Sequence, residues 1–241
     1  MIKDEKYLIE YNRCLNDGIM EMRLRGDTSL LVRSGQFIDI AVSGKYLRRP
    51  ISVSDYDNNG LTIVYKIVGN GTKILSEKKE GETLSALVAL GNGFDDNINA
   101  KRIVVIGGGI GIPPLYKLAK NLTEKGKDVS VVLGFNKKSE TFYLDKFNFC
   151  KEVRISTVDG SIGVKGYVTD TFNQGEFDYF FACGPEPMLN ALLKTGMDGQ
   201  LSYEARMACG YGVCMGCSCK TKLGEKRICK DGPVMTAEEM R

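Results

Sequence analysis

The chain has 241 residues, 43% hydrophobic and 26% charged, a balance that excludes a disordered segment and leaves room for one large domain or two small ones. No apolar run approaches the roughly 20 residues that cross a bilayer, and the N-terminal MIKDEKYLIEYNR carries charges where a signal peptide needs an apolar core; a cytoplasmic protein without membrane association is expected. The formal charge of +3 comes without a basic stripe interleaved with aromatics, so nucleic acid is not an expected partner.

From residue 5 to about 97, short and often β-branched segments are broken by Gly, Asp and Asn. Strands are expected at Tyr7–Cys14, Ile19–Leu24, Gln36–Val42 and Leu61–Val68, with Asp-Gly or Asn-Gly turns nearby. Regular short strands without long helices between them predict an antiparallel barrel or sandwich. One helix interrupts it at Lys73–Lys79, with Thr72 as N-cap and Gly71 before it.

The pattern changes near Ala100. Arg102–Ile106 is a continuous apolar strand, followed by a glycine turn and a helix from Pro113 to about Lys125. Strands follow at Val129–Gly134, Val153–Thr157 and Tyr179–Cys183, with a helical stretch near Val168–Phe172. Strands alternating with helices imply a parallel sheet. From Leu201 onward the chain is rich in glycine and cysteine and too short for a core of its own, so it needs a staple. The expected division is therefore 1–98, an antiparallel β-barrel; 99–200, an α/β domain; and 201–241, a cysteine-rich segment.

Two turns in the α/β part carry a nucleotide-binding signal. Ile103–Ile106 leads into Gly107, Gly108, Gly109 and Gly111 and then Pro113, in the order strand, turn, helix start. Glycines admit a pyrophosphate close to the backbone, and proline suits the first helical position. The sixth position of G-x-G-x-x-G is Ile112, and the acid expected at the end of the second strand is missing from Gly134-Phe-Asn-Lys-Lys138. Cys183-Gly184-Pro185-Glu-Pro-Met188 places a second turn at a strand's carboxyl end, the edge where open α/β sheets bind ligands.

There is no histidine, which excludes imidazole bases and His-ligated metals, so any chemistry rests on a bound cofactor, a cysteine or a carboxylate. Five of the eight cysteines fall between positions 209 and 229. Cys209, Cys214 and Cys217 follow C-x4-C-x2-C, a spacing of [2Fe-2S] sites, with Cys229 as fourth ligand. Gly210, Gly212 and Gly216 permit the sharp turns that aim amide N–H groups at a cluster. A structural zinc site is the rival, though its usual second C-x2-C knuckle is missing. Cys219 could replace Cys217 or Cys229; the x2 spacing favours Cys217.

Arg49-Pro50-Ile51-Ser52, the glycine turn at 107–111 and Cys183-Gly-Pro-x-x-Met188 together resemble the ferredoxin–NADP reductase superfamily. With the cysteine cluster following the α/β part, the chain is more narrowly similar, over nearly its whole length, to the electron-transfer subunits of class B dihydroorotate dehydrogenases. The resemblance implies a flavin-binding barrel, a nucleotide-binding α/β domain and a small [2Fe-2S] segment. It implies that Arg49, Pro50, Ile51 and Ser52 face FAD, with Arg49 at the diphosphate and Ser52 at the reactive flavin edge. Val64, Tyr65 and Lys66 would follow the flavin, and Gly71 and Thr72 would contact phosphate. Gly107, Gly108, Gly109, Gly111, Cys183, Gly184, Pro185 and Met188 would line the nicotinamide side, with Ser52 and Cys183 as the residues of the chemistry. Two departures are Ile51, where much of the superfamily has tyrosine, and Leu87-Val-Ala-Leu90, where a Gly-Pro stretch is usual.

The implied route runs from dihydroorotate to FMN in a separate catalytic subunit, then through the cluster and FAD to NAD+, in a heterotetramer of two plus two subunits serving pyrimidine biosynthesis. The alternative within the superfamily is a subunit of a ferredoxin–NAD(P) reductase, sulfide dehydrogenase or hydrogenase complex. Lys137 and Lys138 leave NADP open. Outside the superfamily, the alternative is a non-catalytic, zinc-stapled binding protein.

Overall fold

A computed structural model describes residues 2–241. Six strands close an antiparallel barrel: β1 (Lys3–Asn16), β2 (Ile19–Arg25), β3 (Phe37–Ile40), β4 (Arg49–Asp57), β5 (Gly60–Lys66) and β6 (Thr83–Leu90), ordered β1-β2-β5-β4-β3-β6. Strand alternation sends Met20, Met22 and Leu24, Ile38 and Ile40, and Leu61 and Ile63 into the barrel interior. Thus Arg49–Ser52, read in the sequence only as a motif, is the start of a strand.

Helix α1 (Asn70–Ser76) joins β5 to β6 and begins three residues before the expected Lys73. Thr72 is not its N-cap. The chain turns at Gly69, and Thr72 sits at the third helical position, where its hydroxyl reaches back to accept from the N–H groups of Val68 at 3.0 Å and Gly69 at 3.3 Å.

The second part contains β7 (Arg102–Gly108), α2 (Tyr116–Glu124), β8 (Asp128–Phe135), β9 (Glu152–Thr157), β10 (Val164–Lys165), β11 (Tyr179–Cys183), α3 (Glu186–Lys194) and β12 (Gly199–Ser202). Helix α2 starts later than Pro113: the chain first passes through 3-10 turns at Gly109–Gly111 and Pro113–Leu115. The stretch near Val168 is a single 3-10 turn, Val168–Thr171.

The C-terminal segment is not a free tail. After a hairpin of β13 (Ser218–Thr221) and β14 (Gly224–Arg227), strand β15 (Val234–Thr236) pairs antiparallel with β12, and α4 (Ala237–Met240) follows. The sheet therefore reads β10-β9-β8-β7-β11-β12-β15, parallel up to its last strand. Residues 200 and 201, between which the expected boundary lies, are both inside β12. Asn92, in the linker from the barrel, closes the return: its side chain donates to the carbonyls of Asp231 and Val234 and accepts from the N–H of Val234.

Barrel and sheet are also joined by a buried polar contact. Glu21 on β2 is 1% exposed and accepts from the Tyr143 hydroxyl of the α/β domain and from Arg13. Burial opposes its charge, but Tyr143 and Arg13 hold its carboxyl below the usual carboxylate range. A folded-state pKa below the unfolded one stabilises above the unfolded value and is lost as pH falls through the folded one. Tyr143→Phe is expected to cost about 1–3 kcal/mol near neutral pH. The gap to wild type should narrow in acid, as read by urea unfolding at both pH values.

Candidate electron-transfer site

Two compartments meet where the barrel faces the carboxyl ends of the parallel strands. The first, about 270 Å³, is walled by Pro50, Ile51 and Ser52 of β4, Val64, Tyr65 and Lys66 of β5, and Thr72. Opposite them stand Ile110, Pro114, Cys183, Glu204 and Met207. Tyr65 is held by a hydrogen bond from its hydroxyl to Asn12 Oδ1 at 3.0 Å. Arg49 and Gly71 do not line this cleft. The Arg49 guanidinium lies over Gly71, where a Cβ would sit 2.1 Å from Nε, and it donates to the Leu47 carbonyl.

The second compartment, about 590 Å³, is lined by Gly108, Gly109, Ile110 and Gly111, by Gly184 and Pro185, and by Asn16, Asp17 and Ile19 from the barrel. Its two turns interlock through their glycines. A Cβ on Gly111 would stand 2.4 Å from the Cys183 carbonyl oxygen, and one on Gly108 2.7 Å from Met188 Sδ. Met188 thus packs beneath both turns and lines neither compartment, and Gly107 is likewise taken up by Ile112. Cys183 is 2% exposed, and burial pushes its thiol up to about 12, so it is a neutral wall and not a thiolate.

Lys66, Ile110 and Glu204 line both compartments. Nothing local in the sequence marks Glu204. Its side chain is open to the cleft, yet the protein packed around it raises its carboxyl above the usual range. Two residues past Lys138, Glu140 lines the second compartment together with Lys137 and accepts from Asn136 Nδ2 at 2.9 Å.

The cysteine loop lies against the barrel beside the first compartment. Cys217 and Cys229 are buried with Phe37, Leu90, Ile228 and Met235, Cys209 is half-buried, and Cys214 is exposed. Main-chain amides point at the sulfurs: Val213 N–H at Cys209 Sγ (3.4 Å), Gly216 N–H at Cys214 Sγ (3.5 Å) and Cys229 N–H at Cys217 Sγ (3.4 Å). Burial raises the Cys209 pKa, but the amides of Cys214, Tyr211 and Val213 outweigh it and bring it down to about 6. Gly210 and Gly212 turn the loop at φ of +75° and +88°, but the third turn falls on Met215 at +61°, not on Gly216.

Four cysteines on one loop and hairpin, three of them with main-chain amides aimed at their sulfurs, fit the ligand set of a two-iron cluster. Cys219 lies on β13, half-buried, packed against the same cluster as Cys217 and Cys229 and in register with Lys226 of β14.

A family model described as the iron–sulfur cluster binding domain of dihydroorotate dehydrogenase B matches residues 204–241. The chain is 43% identical over 244 residues, covering 95% of both chains, to a Bacillus pumilus protein named dihydroorotate dehydrogenase B (NAD(+)), electron transfer subunit. It is 41% identical to a Fusobacterium nucleatum protein of the same name, covering 99% of both. A solved structure of NADH-dependent reduced ferredoxin-NADP oxidoreductase superposes with a TM-score of 0.88 at 30% identity, over 98% of this chain and 89% of that one.

Three substitutions test this geometry. Gly111→Ala forces a methyl group into the Cys183 backbone, and is expected to lower stability by about 1–3 kcal/mol in urea unfolding. Cys217→Ser is expected to lose iron and acid-labile sulfide while Cys219→Ser keeps both; the reverse result would reassign the ligand.

Proposed function

Because this chain belongs to the family of dihydroorotate dehydrogenase B electron-transfer subunits, we propose that it carries electrons from the FMN of a dihydroorotate dehydrogenase catalytic subunit, through a [2Fe-2S] cluster and FAD, to NAD+. That places it in pyrimidine biosynthesis and in the cytoplasm, as part of a heterotetramer of two plus two subunits. Its eight cysteines, all unpaired, suit a reducing compartment. The single observation that carries the reading is the shared wall of Lys66, Ile110 and Glu204, from which the chain runs on through Met207 to the cysteine loop. On this reading the flavin cleft adjoins both the nucleotide compartment, through that shared wall, and the segment that leads to the cysteines.

A flavin exchanges a hydride with nicotinamide and single electrons with a cluster, so it belongs at the middle station. Pro50, Ile51 and Ser52 with Val64, Tyr65 and Lys66 give it one wall, and Cys183 closes the opposite side as a small neutral group. Thr72 serves its diphosphate from the cleft wall, and Arg49 and Gly71 from beside it. Gly108, Gly109 and Gly111 leave the backbone open to the pyrophosphate of NAD+, with Gly184 and Pro185 on the far side and Gly107 and Met188 as packing beneath. Glu140 faces the same compartment and favours a ribose 2′-hydroxyl over a 2′-phosphate. Cys209, Cys214, Cys217 and Cys229 hold the cluster. Tyr211, Val213 and Met215, all exposed around Cys214, offer the catalytic subunit an apolar contact.

The solved relative that oxidises or reduces ferredoxin and NADP supports a second reading, the same relay serving a different partner. No helix among the described residues is long and apolar enough to cross a membrane. The purified chain is expected to contain FAD, iron and sulfide, to reduce dyes with NADH and to leave dihydroorotate untouched. Co-expression with its partner should add NAD+-dependent dihydroorotate oxidation. Dihydroorotate oxidation by the isolated chain, or a co-purifying partner without FMN, would overturn the assignment.

A further inference from the structure

Strand β3 is buried on both faces. Ile38 and Ile40 point into the barrel, whereas Phe37 faces outward and packs against Cys217, Ile228 and Cys229. By alternation Asp39 shares the outward face with Phe37. It is 2% exposed, and its Oδ1 has no hydrogen-bond partner. Its Oδ2 lies against Gly210, where a Cβ would sit only 2.6 Å away. Gly210 is the turn residue directly after Cys209, at φ +75°.

The neighbouring cations are engaged elsewhere. Arg48 donates through Nη1 to the Asp39 backbone carbonyl at 3.3 Å and through Nη2 to Asp4 at 2.7 Å. Arg49 donates to the carbonyls of Leu47 and Arg48. A buried carboxyl without a partner is costly and does not persist for packing alone, since an apolar residue would serve better there. Burial opposes its charge, and Arg48 and Arg49 favour it.

We infer that Asp39 is a positioning residue of the cluster site: a fixed negative charge on the barrel's outer face that seats the Cys209–Gly210 turn and holds a cluster bound there at a lower potential than a neutral side chain would. Reduction adds one electron, and hence one negative charge, to a site already facing this anion. The repulsion acts through protein, where screening is weak. The inference rests on the reading that Cys209, Cys214, Cys217 and Cys229 are the ligands.

The test is a potentiometric titration of the cluster at about pH 8, well above the ordinary carboxylate range, followed by electron paramagnetic resonance in the full chain. Wild type comes first, and absence of a cluster signal there defeats the ligand reading and not this one. Asp39→Asn keeps the shape and removes the charge; it is expected to keep its iron content and shift the midpoint potential in the positive direction. Asp39→Glu, which restores the charge, should return it towards wild type. An unchanged potential in Asp39→Asn overturns the inference. Should that variant not assemble a cluster, Asp39→Ser, which removes the charge and leaves room at Gly210, carries the same comparison. A folded, flavin-containing protein without cluster in both would make Asp39 a residue of assembly and overturn its role in setting the potential.

Discussion

Three residue pairs hold the molecule's C-terminal segment in place: Gln200 with Thr236, Leu201 with Met235, and Ser202 with Val234. Through them the cysteine segment leaves the sheet at β12 and returns to it at β15, a closed excursion anchored at both ends. A segment of this length without its own core would be disordered if tethered at one end only. Closed, it has to lie somewhere on the surface between its anchors, and Asn92 and the outer face of β3 decide where. The neighbourhood of cysteine loop and flavin cleft is thus a consequence of sheet pairing.

The barrel contributes two buried carboxylates, and they are treated in opposite ways. Glu21 has a hydroxyl and a guanidinium directed at it, and so joins two domains. Asp39 has an oxygen with no donor and a glycine backbone pressed against it. The first arrangement is how a structural charge is made tolerable. The second leaves the charge free to act on what lies nearby, which is here the cysteine loop.

Local pattern carried much of this in the sequence. The β-branched runs at Ile19–Leu24 and Leu61–Val68, the apolar strand before Gly107 and the cysteine spacing each depend on residues adjacent along the chain, and strands and cysteine loop lie where these signals fall. What was not legible depends on contacts distant in sequence. Glu204 becomes a wall of two compartments only because β12 ends between them, and Asp39 meets Gly210 across 171 positions of chain. Met188 resembles a ligand-facing residue in its motif, yet its sulfur is spent filling the space that Gly108 and Gly184 leave. Thr72 looked like a cap because it precedes a helical run, but Gly69 supplies the turn, and the threonine reaches back to it.

The wall formed by Lys66, Ile110 and Glu204 belongs to both rooms. A substitution at any of the three therefore reshapes two cavities at once, and neither compartment can be altered there without the other.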